Sequence, residues 1–339
     1  MRRSGATTSA STAARTPDLV AEPSSSPLVT GAAGFAGAHL LHLLLTTWPR
    51  VNAWRNPSGR GVPRTHTDAR IAWEAVDVTD AQAVAHALRD LRPSAVFHCA
   101  GLADVQHAWT DAARALRVNA VGTRVLLAGL AGAGLDVPVV VTGSALVYRP
   151  SSEALTEASP IGPSSPYGVS KLAQEMIARS AGLSRVVVAR PFNHAGPGQS
   201  EAYVTSSFAR QIAEAEQGLR PPVLRVGNLD ARRDITDVRD TVRAYVALAE
   251  RGHTSQPYNV CRGEAYRIGD LLERLLRRAR TRIAVELDPS RLRPSDNPVV
   301  LGSAARLHAE TGWEPRIPMD QTLGDLLEFW RRPASVRDP

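Results

Sequence analysis

The chain has 339 residues, room for about two domains, with 43% hydrophobic and 22% charged residues and a formal net charge of +7. That balance excludes a largely disordered chain, and no apolar run approaches the roughly 18 to 20 residues that span a bilayer, so no membrane span is expected. The positive charge admits an anionic small molecule or a nucleic acid. Scattered arginines and only 5% aromatic residues do not build base-stacking platforms, so nucleic acid is not expected as a partner.

Residues 1–26 are rich in Ser, Ala and Thr. Arg2 and Arg3 resemble the start of an export signal, but no apolar segment follows, and the reading is a disordered leader. From Leu28 short apolar runs then alternate with helical patterns. The runs begin at Leu28, Val51, Ile71, Ala95, Val137 and Arg185, and the helices are predicted over Ala36 to Thr46, Ala81 to Leu91, Asp111 to Ala133 and Pro166 to Ala181. This alternation predicts an α/β fold, a Rossmann-like doubly wound parallel sheet over residues 27–190. Beyond Pro191 the regularity breaks. Helices are expected over Val204 to Glu216, Asp240 to Glu250, Ile268 to Arg278, Ala304 to Thr311 and Thr322 to Trp330, with short strands at Val223, Tyr258 and Ile283. Residues 191–335 therefore read as a smaller α+β substrate-binding region, some of whose elements return to the first domain. The two cysteines, Cys99 and Cys261, fall in apolar strand-like runs and read as reduced core residues, which fits a cytoplasmic protein.

The first run ends in TGAAGFAG and opens directly into a helix. Gly31, Gly34 and Gly37 permit a tight turn and let backbone amides approach a pyrophosphate at the helix N-terminus. After the second run stand Arg55 and Arg60 with no acid between them, a composition suited to a ribose 2′-phosphate, so NADP(H) is favoured over NAD(H). Asp77, ending the third run, is placed to contact an adenine ring or to cap a helix.

All but one of the 40 basic residues are arginine, and the exception is Lys171, four residues after Tyr167 in YGVSK. Positions i and i+4 share a helix face, so the ammonium is expected to lower the phenol's pKa and make Tyr167 a general acid/base. Ser144, at the end of the fifth run in TGSALVY, stands where an open sheet places its site and can donate to a substrate carbonyl.

Ser144, Tyr167 and Lys171 together resemble the catalytic triad of the short-chain dehydrogenase/reductase superfamily, in its extended, nucleotide-sugar-modifying branch. The resemblance covers Leu28 to Trp330. It extends cofactor contacts to Phe35, Val78 and Ala100, and matches Asn119 in LRVNAVGT to an asparagine that supports a water chain. The stretches RPFNHAGPGQ from Arg190, GNLDARRDITDVRDTVRAY from Gly227, YNVCRGEAYRIGDLL from Tyr258 and DPSRLRPSDNP from Asp288 look like GDP-mannose 4,6-dehydratases and, more closely, GDP-4-keto-6-deoxy-mannose reductases. The resemblance implies that Asn193, Arg233 and Arg293 hold a nucleotide-diphosphate sugar, in keeping with arginine's bidentate grip on phosphate; whether Arg232 or Arg233 faces the ligand stays open. It also implies a homodimer or dimer of dimers, and no metal site is read.

One departure sorts the relatives. Dehydratases of this branch carry a glutamate two residues after the triad Ser/Thr, and here that position is Leu146, which moves no proton. The expectation is therefore an NADPH-dependent 4-ketoreductase acting on a nucleotide-activated 4-keto-6-deoxyhexose. A nucleotide-sugar 4-epimerase, suggested by the S-A-x-V-Y pattern from Ser144 to Tyr148, and a non-catalytic dinucleotide-binding regulator are the alternatives.

Overall fold

The computed structural model describes residues 26–59, 67–254, 256–292 and 297–333. Most of the expected leader, together with Arg60 and Arg293, lies outside the described residues.

The first half of the chain runs β1 (Leu28–Thr30), α1 (Phe35–Leu44), β2 (Val51–Arg55), β3 (Ile71–Ala75), α2 (Ala81–Leu91), β4 (Val96–His98), α3 (Val105–Thr110) and α4 (Ala112–Leu116). A π-helical turn at Arg117–Val121 leads into α5 (Gly122–Gly132), then β5 (Val139–Thr142), a 3-10 turn at Ala145–Val147, α6 (Pro166–Arg179) and β6 (Val186–Pro191). The second half contributes β7 (Asn193–Ala195), α7 (Val204–Glu216), β8 (Val223–Val226), β9 (Arg232–Asp237), α8 (Val238–Arg251), β10 (Pro257–Val260) and β11 (Ala265–Arg267). It closes with α9 (Ile268–Leu276), β12 (Ala284–Leu287), β13 (Val299–Val300), α10 (Ala305–Thr311) and α11 (Met319–Arg331).

Seven strands form one parallel sheet in the order β10-β6-β5-β4-β1-β2-β3. Both faces are covered: Leu40, Leu41 and Leu44 of α1 pack with Val242, Tyr245 and Leu248 of α8 on one side, and Val84 and Leu88 of α2 pack with Leu126 and Leu130 of α5 on the other. This is why the strands read as continuous apolar runs and not as alternating ones. Each leucine so buried contributes about 1.5–3 kcal/mol. The strand order reverses between β1 and β4, and a doubly wound sheet opens its ligand crevice at the carboxyl ends of the strands at such a point.

Three elements of the second half, α8, β10 and α10, belong to this Rossmann-like body. The remainder builds a separate core, with Phe208 and Ile212 of α7, Leu271 and Leu275 of α9, and Leu323 and Leu326 of α11 packed together. Beside it, β9 pairs with β7, β11 and β13. These short ladders carry polar sequences such as RRDITD, which have no apolar period to announce them. The helix expected over Asp111 to Ala133 is interrupted by the π turn, where Asn119 enters the interior. Among the described residues no helix is long and apolar enough to cross a membrane.

Candidate active site

A cleft of about 1700 Å³ lies over the crevice between β1 and β4 and extends to the second-half core. At one end, Gly31 takes φ +65°, and a Cβ built there would lie 2.6 Å from the backbone of Ala100; a Cβ on Gly37 would lie 2.4 Å from the carbonyl of Gly31. Only glycine permits this close strand-turn-helix packing, which leaves the amides at the start of α1 facing the cleft with Gly34 as its cap. That cradle fits a dinucleotide pyrophosphate. Phe35, Arg55, Asp77, Val78 and Ala100 line the same end. The Asp77 carboxylate is turned onto Thr79, accepting from its amide at 2.9 Å and its hydroxyl at 2.8 Å, and the cap of α2 is Asp80 instead. Arg55 ends β2 with its Nη1 on the carbonyl of Asn56 at 3.4 Å.

Asn119, matched by the resemblance to an asparagine that supports a water chain, does not line the cleft itself. Its fully buried amide lies behind the cleft wall. Oδ1 accepts from the Leu102 amide at 2.8 Å and Nδ2 donates to Ser170 Oγ at 2.9 Å, so Asn119 braces the loop after β4.

At the centre of the cleft, Ser144 caps the 3-10 turn by accepting from the Leu146 amide at 3.1 Å, and its hydroxyl lies within reach of the phenol of Tyr167. Tyr167 sits in the first turn of α6, started by the Ser165 cap and Pro166. Gly168 brings the two together, since a Cβ there would lie 2.4 Å from the carbonyl of Leu146. Lys171 is buried one turn on, donating to the Thr142 carbonyl at 2.8 Å and to Gln174 Oε1 at 2.9 Å. Burial pulls its pKa down to about 8. The expectation that Lys171 lowers the Tyr167 pKa is not met. The ammonium is 6.0 Å from the ring centre, and burial raises the phenol above its usual range while the Ser144 hydrogen bond pulls it back only partly.

Toward the second half, Asn193 and Arg233 line the cleft. Asn193 Nδ2 donates to the Asp234 carbonyl at 3.2 Å, and Arg233 holds the Arg232 and Pro298 carbonyls at 2.8 and 3.2 Å. Of the two neighbours, Arg233 lines the cleft and Arg232 does not. Arg114, Arg117, Arg149, Arg225 and Arg291 also line it; none has a local motif, and only their convergence in space marks them. The sequence reading also missed Asp234, whose buried carboxylate accepts from the amides of Arg262, Gly263 and Gly302 at 2.8, 2.9 and 3.2 Å. It ties together the segments behind Arg233, and burial still raises its pKa to about 6.

Proteins of known function resemble this chain in sequence and fold. A family model described as GDP-mannose 4,6 dehydratase matches residues 28–326. The GDP-6-deoxy-D-mannose reductase of Pseudomonas aeruginosa is 38% identical over 314 residues, covering 89% of this chain and 96% of that protein. Among solved structures, RMD from Pseudomonas aeruginosa complexed with NADPH aligns with a TM-score of 0.77 at 35% identity, covering 91% of this chain and 99% of the other. The UDP-glucose 4-epimerase of Thermus thermophilus complexed with NAD aligns with a TM-score of 0.78 at 27% identity, covering 90% and 99%. A Rossmann-like sheet, a glycine turn at its switch point and a Ser, Tyr and Lys set in one cleft thus coincide with similarity over nearly the whole described chain, which belongs to the GDP-mannose 4,6 dehydratase family of extended short-chain dehydrogenases/reductases.

Proposed function

We propose that this protein reduces the C4 keto group of a nucleotide-activated 4-keto-6-deoxyhexose, GDP-linked, at the expense of NADPH. The observation that carries the reading is the inventory of proton-moving groups in the cleft. Tyr167 and Ser144 meet at its centre, whereas Leu146 occupies the position a dehydratase gives to glutamate. The cleft's carboxylates among the described residues are Asp77, held by Thr79, and Glu201, paired with Arg210 at 2.7 Å. With no glutamate at that position and both carboxylates engaged, the Tyr167 acid suits a single proton transfer to a carbonyl oxygen.

When bound in the Gly31 to Gly37 cradle, the nicotinamide dinucleotide supplies the hydride. The chain's residues supply the rest. A phenol whose pKa burial keeps high is fully protonated at neutral pH, the state needed to protonate the C4 oxygen; Ser144 orients that oxygen, and Lys171 keeps a positive charge beneath it. Arg233, Arg225 and Arg291 offer forks to a diphosphate. The choice of GDP and of NADPH is supported by the relatives' substrates and by Arg55 at the end of β2.

The test is incubation with GDP-4-keto-6-deoxy-mannose and other nucleotide-linked ketosugars, following NADPH absorbance and identifying the product by NMR. Stoichiometric oxidation of NADPH with formation of a 6-deoxyhexose is the expected result. Interconversion of C4 epimers without net NADPH consumption would favour an epimerase instead.

A further inference from the structure

The face of α6 behind the catalytic pair is both polar and buried. Gln174 is fully buried, as are Thr123 on α5, His98 on β4 and Thr30 on β1, and none of them lines the cleft. Polar groups so placed destabilise the fold unless each is bonded. Each is, and the chain of bonds reads in one direction only.

Thr123 donates its single hydroxyl proton to the Asn119 carbonyl at 2.7 Å. At its oxygen, therefore, Gln174 Nε2 and His98 Nε2, both at 2.9 Å, must donate. This fixes the Gln174 amide with Oε1 toward Lys171, which donates to it at 2.9 Å. It also fixes His98 as the Nε2–H tautomer, so Nδ1 accepts from the Thr30 hydroxyl at 2.8 Å, and Thr30 in turn accepts from the Ala100 amide at 3.2 Å. That amide faces Gly31 of the dinucleotide cradle.

We propose that Gln174 is a positioning residue for the reaction. Anchored through Thr123, His98 and Thr30 to the backbone of the dinucleotide cradle, its amide oxygen holds the Lys171 ammonium so that one N–H is left for the cleft. The inference rests on the reading of Lys171 as part of a dinucleotide-dependent site. A lysine stem is flexible, and a single carbonyl, that of Thr142, leaves it free to swing. The titratable groups around the ammonium are Tyr167 on its own helix, Cys99 and His98 from β4 and the residue after it, and Tyr245 of α8 behind Cys99 and Tyr167. None is a carboxylate, which leaves Gln174 as the side chain that accepts from it among the described residues.

Because Lys171 is the chain's only lysine, protein labelled with 15N and 13C in lysine alone shows one side-chain signal by NMR, in the native enzyme and without assignment. The native midpoint is expected near 8 because the ammonium is buried, below the usual ~10.4, and it is the reference against which the variants are read. In Gln174→Leu the midpoint should fall, NADPH affinity by fluorescence should weaken about tenfold, and kcat for the ketosugar should fall at least tenfold with its KM within about twofold. Gln174→Glu keeps an acceptor for the ammonium but has no N–H for Thr123, so it should raise the midpoint and recover kcat only in part, and Thr123→Val should reproduce part of the Gln174→Leu effect. A Gln174→Leu protein that titrates and binds NADPH like the native one, losing only thermal stability, would reduce Gln174 to a structural residue. Should no ketosugar be reduced at all, the lysine titration and the NADPH affinity still decide this proposal separately from the function.

Discussion

Tyr167 and Lys171 lie one helical turn apart yet are tuned by different surroundings. The phenol is raised by burial and answers to Ser144; the ammonium is lowered by burial and is spoken for by Thr142 and Gln174. Replacing Tyr167 with Phe removes the hydroxyl beside Ser144 while keeping the ring's packing. Turnover should fall at least ~100-fold, as expected for lost general acid catalysis, with NADPH binding retained; steady-state kinetics beside a fluorescence titration separate the two, and near-normal turnover would remove Tyr167 from the chemistry. Arg55 allows a second test at this scale. Among the described residues its guanidinium bonds only the neighbouring carbonyl, at 3.4 Å, which leaves it for a 2′-phosphate. Arg55→Ala should weaken NADPH by about 1–3 kcal/mol, the size of a lost charge-assisted hydrogen bond, and leave NADH nearly unchanged. Equal affinity of the native protein for the two dinucleotides would sink the assignment.

At the scale of elements, β1, β4, α5 and α6 are joined by the buried Thr30, His98, Thr123 and Gln174 chain, and this has a consequence for acid stability. Burial, with Lys171 nearby, lowers the His98 pKa to about 3, whereas the unfolded chain titrates near 6.5. Between those values the unfolded state binds a proton that the folded state refuses, so stability falls as pH is lowered through 6.5, by up to about 1.4 kcal/mol per pH unit. The melting temperature should therefore drop more steeply from pH 7 to pH 5 for the native protein than for His98→Gln, which has no such proton to take up; parallel curves would show that His98 does not resist protonation. The same elements show what a sequence can disclose. Gly31, Gly34 and Gly37, Ser144, and Tyr167 with Lys171 are local spacings, each tied to one turn or one helical face, and the structure brings all of them to one cleft. Gly168, Gln174 and Asp234 escaped notice because their roles come from contacts with residues far along the chain. A glycine inside a helix or a glutamine on its face has no signature until its partner is known. The π turn that carries the buried Asn119 was likewise illegible, because helical periodicity does not foresee such a turn.

For the whole molecule, the basic charge finds a use in the cleft, where arginines from both halves converge and carboxylates are few. The same distribution defines what the enzyme should be unable to do. Eliminating water across C5 and C6 of a hexose needs one group to remove a proton and another to deliver one, in addition to the Tyr167 transfer at C4. Leu146, 41% exposed in the cleft, has neither capacity. Asp77 and Glu201 are engaged elsewhere, and His98, sealed in the core between two threonines, is not available to a ligand. Given GDP-mannose and NADP, the native protein should form no 4-keto-6-deoxy product. Introducing glutamate at position 146 is a weaker test, because the shell around a half-exposed leucine was not shaped to aim a carboxylate to within about an ångström. The decisive measurement is mass spectrometry of the sugar nucleotide after prolonged incubation of the native enzyme. A product lighter by one water would overturn the reductase reading, and His194, which lines the cleft stacked on Phe35 with its pKa lowered by burial, would be the first residue to replace.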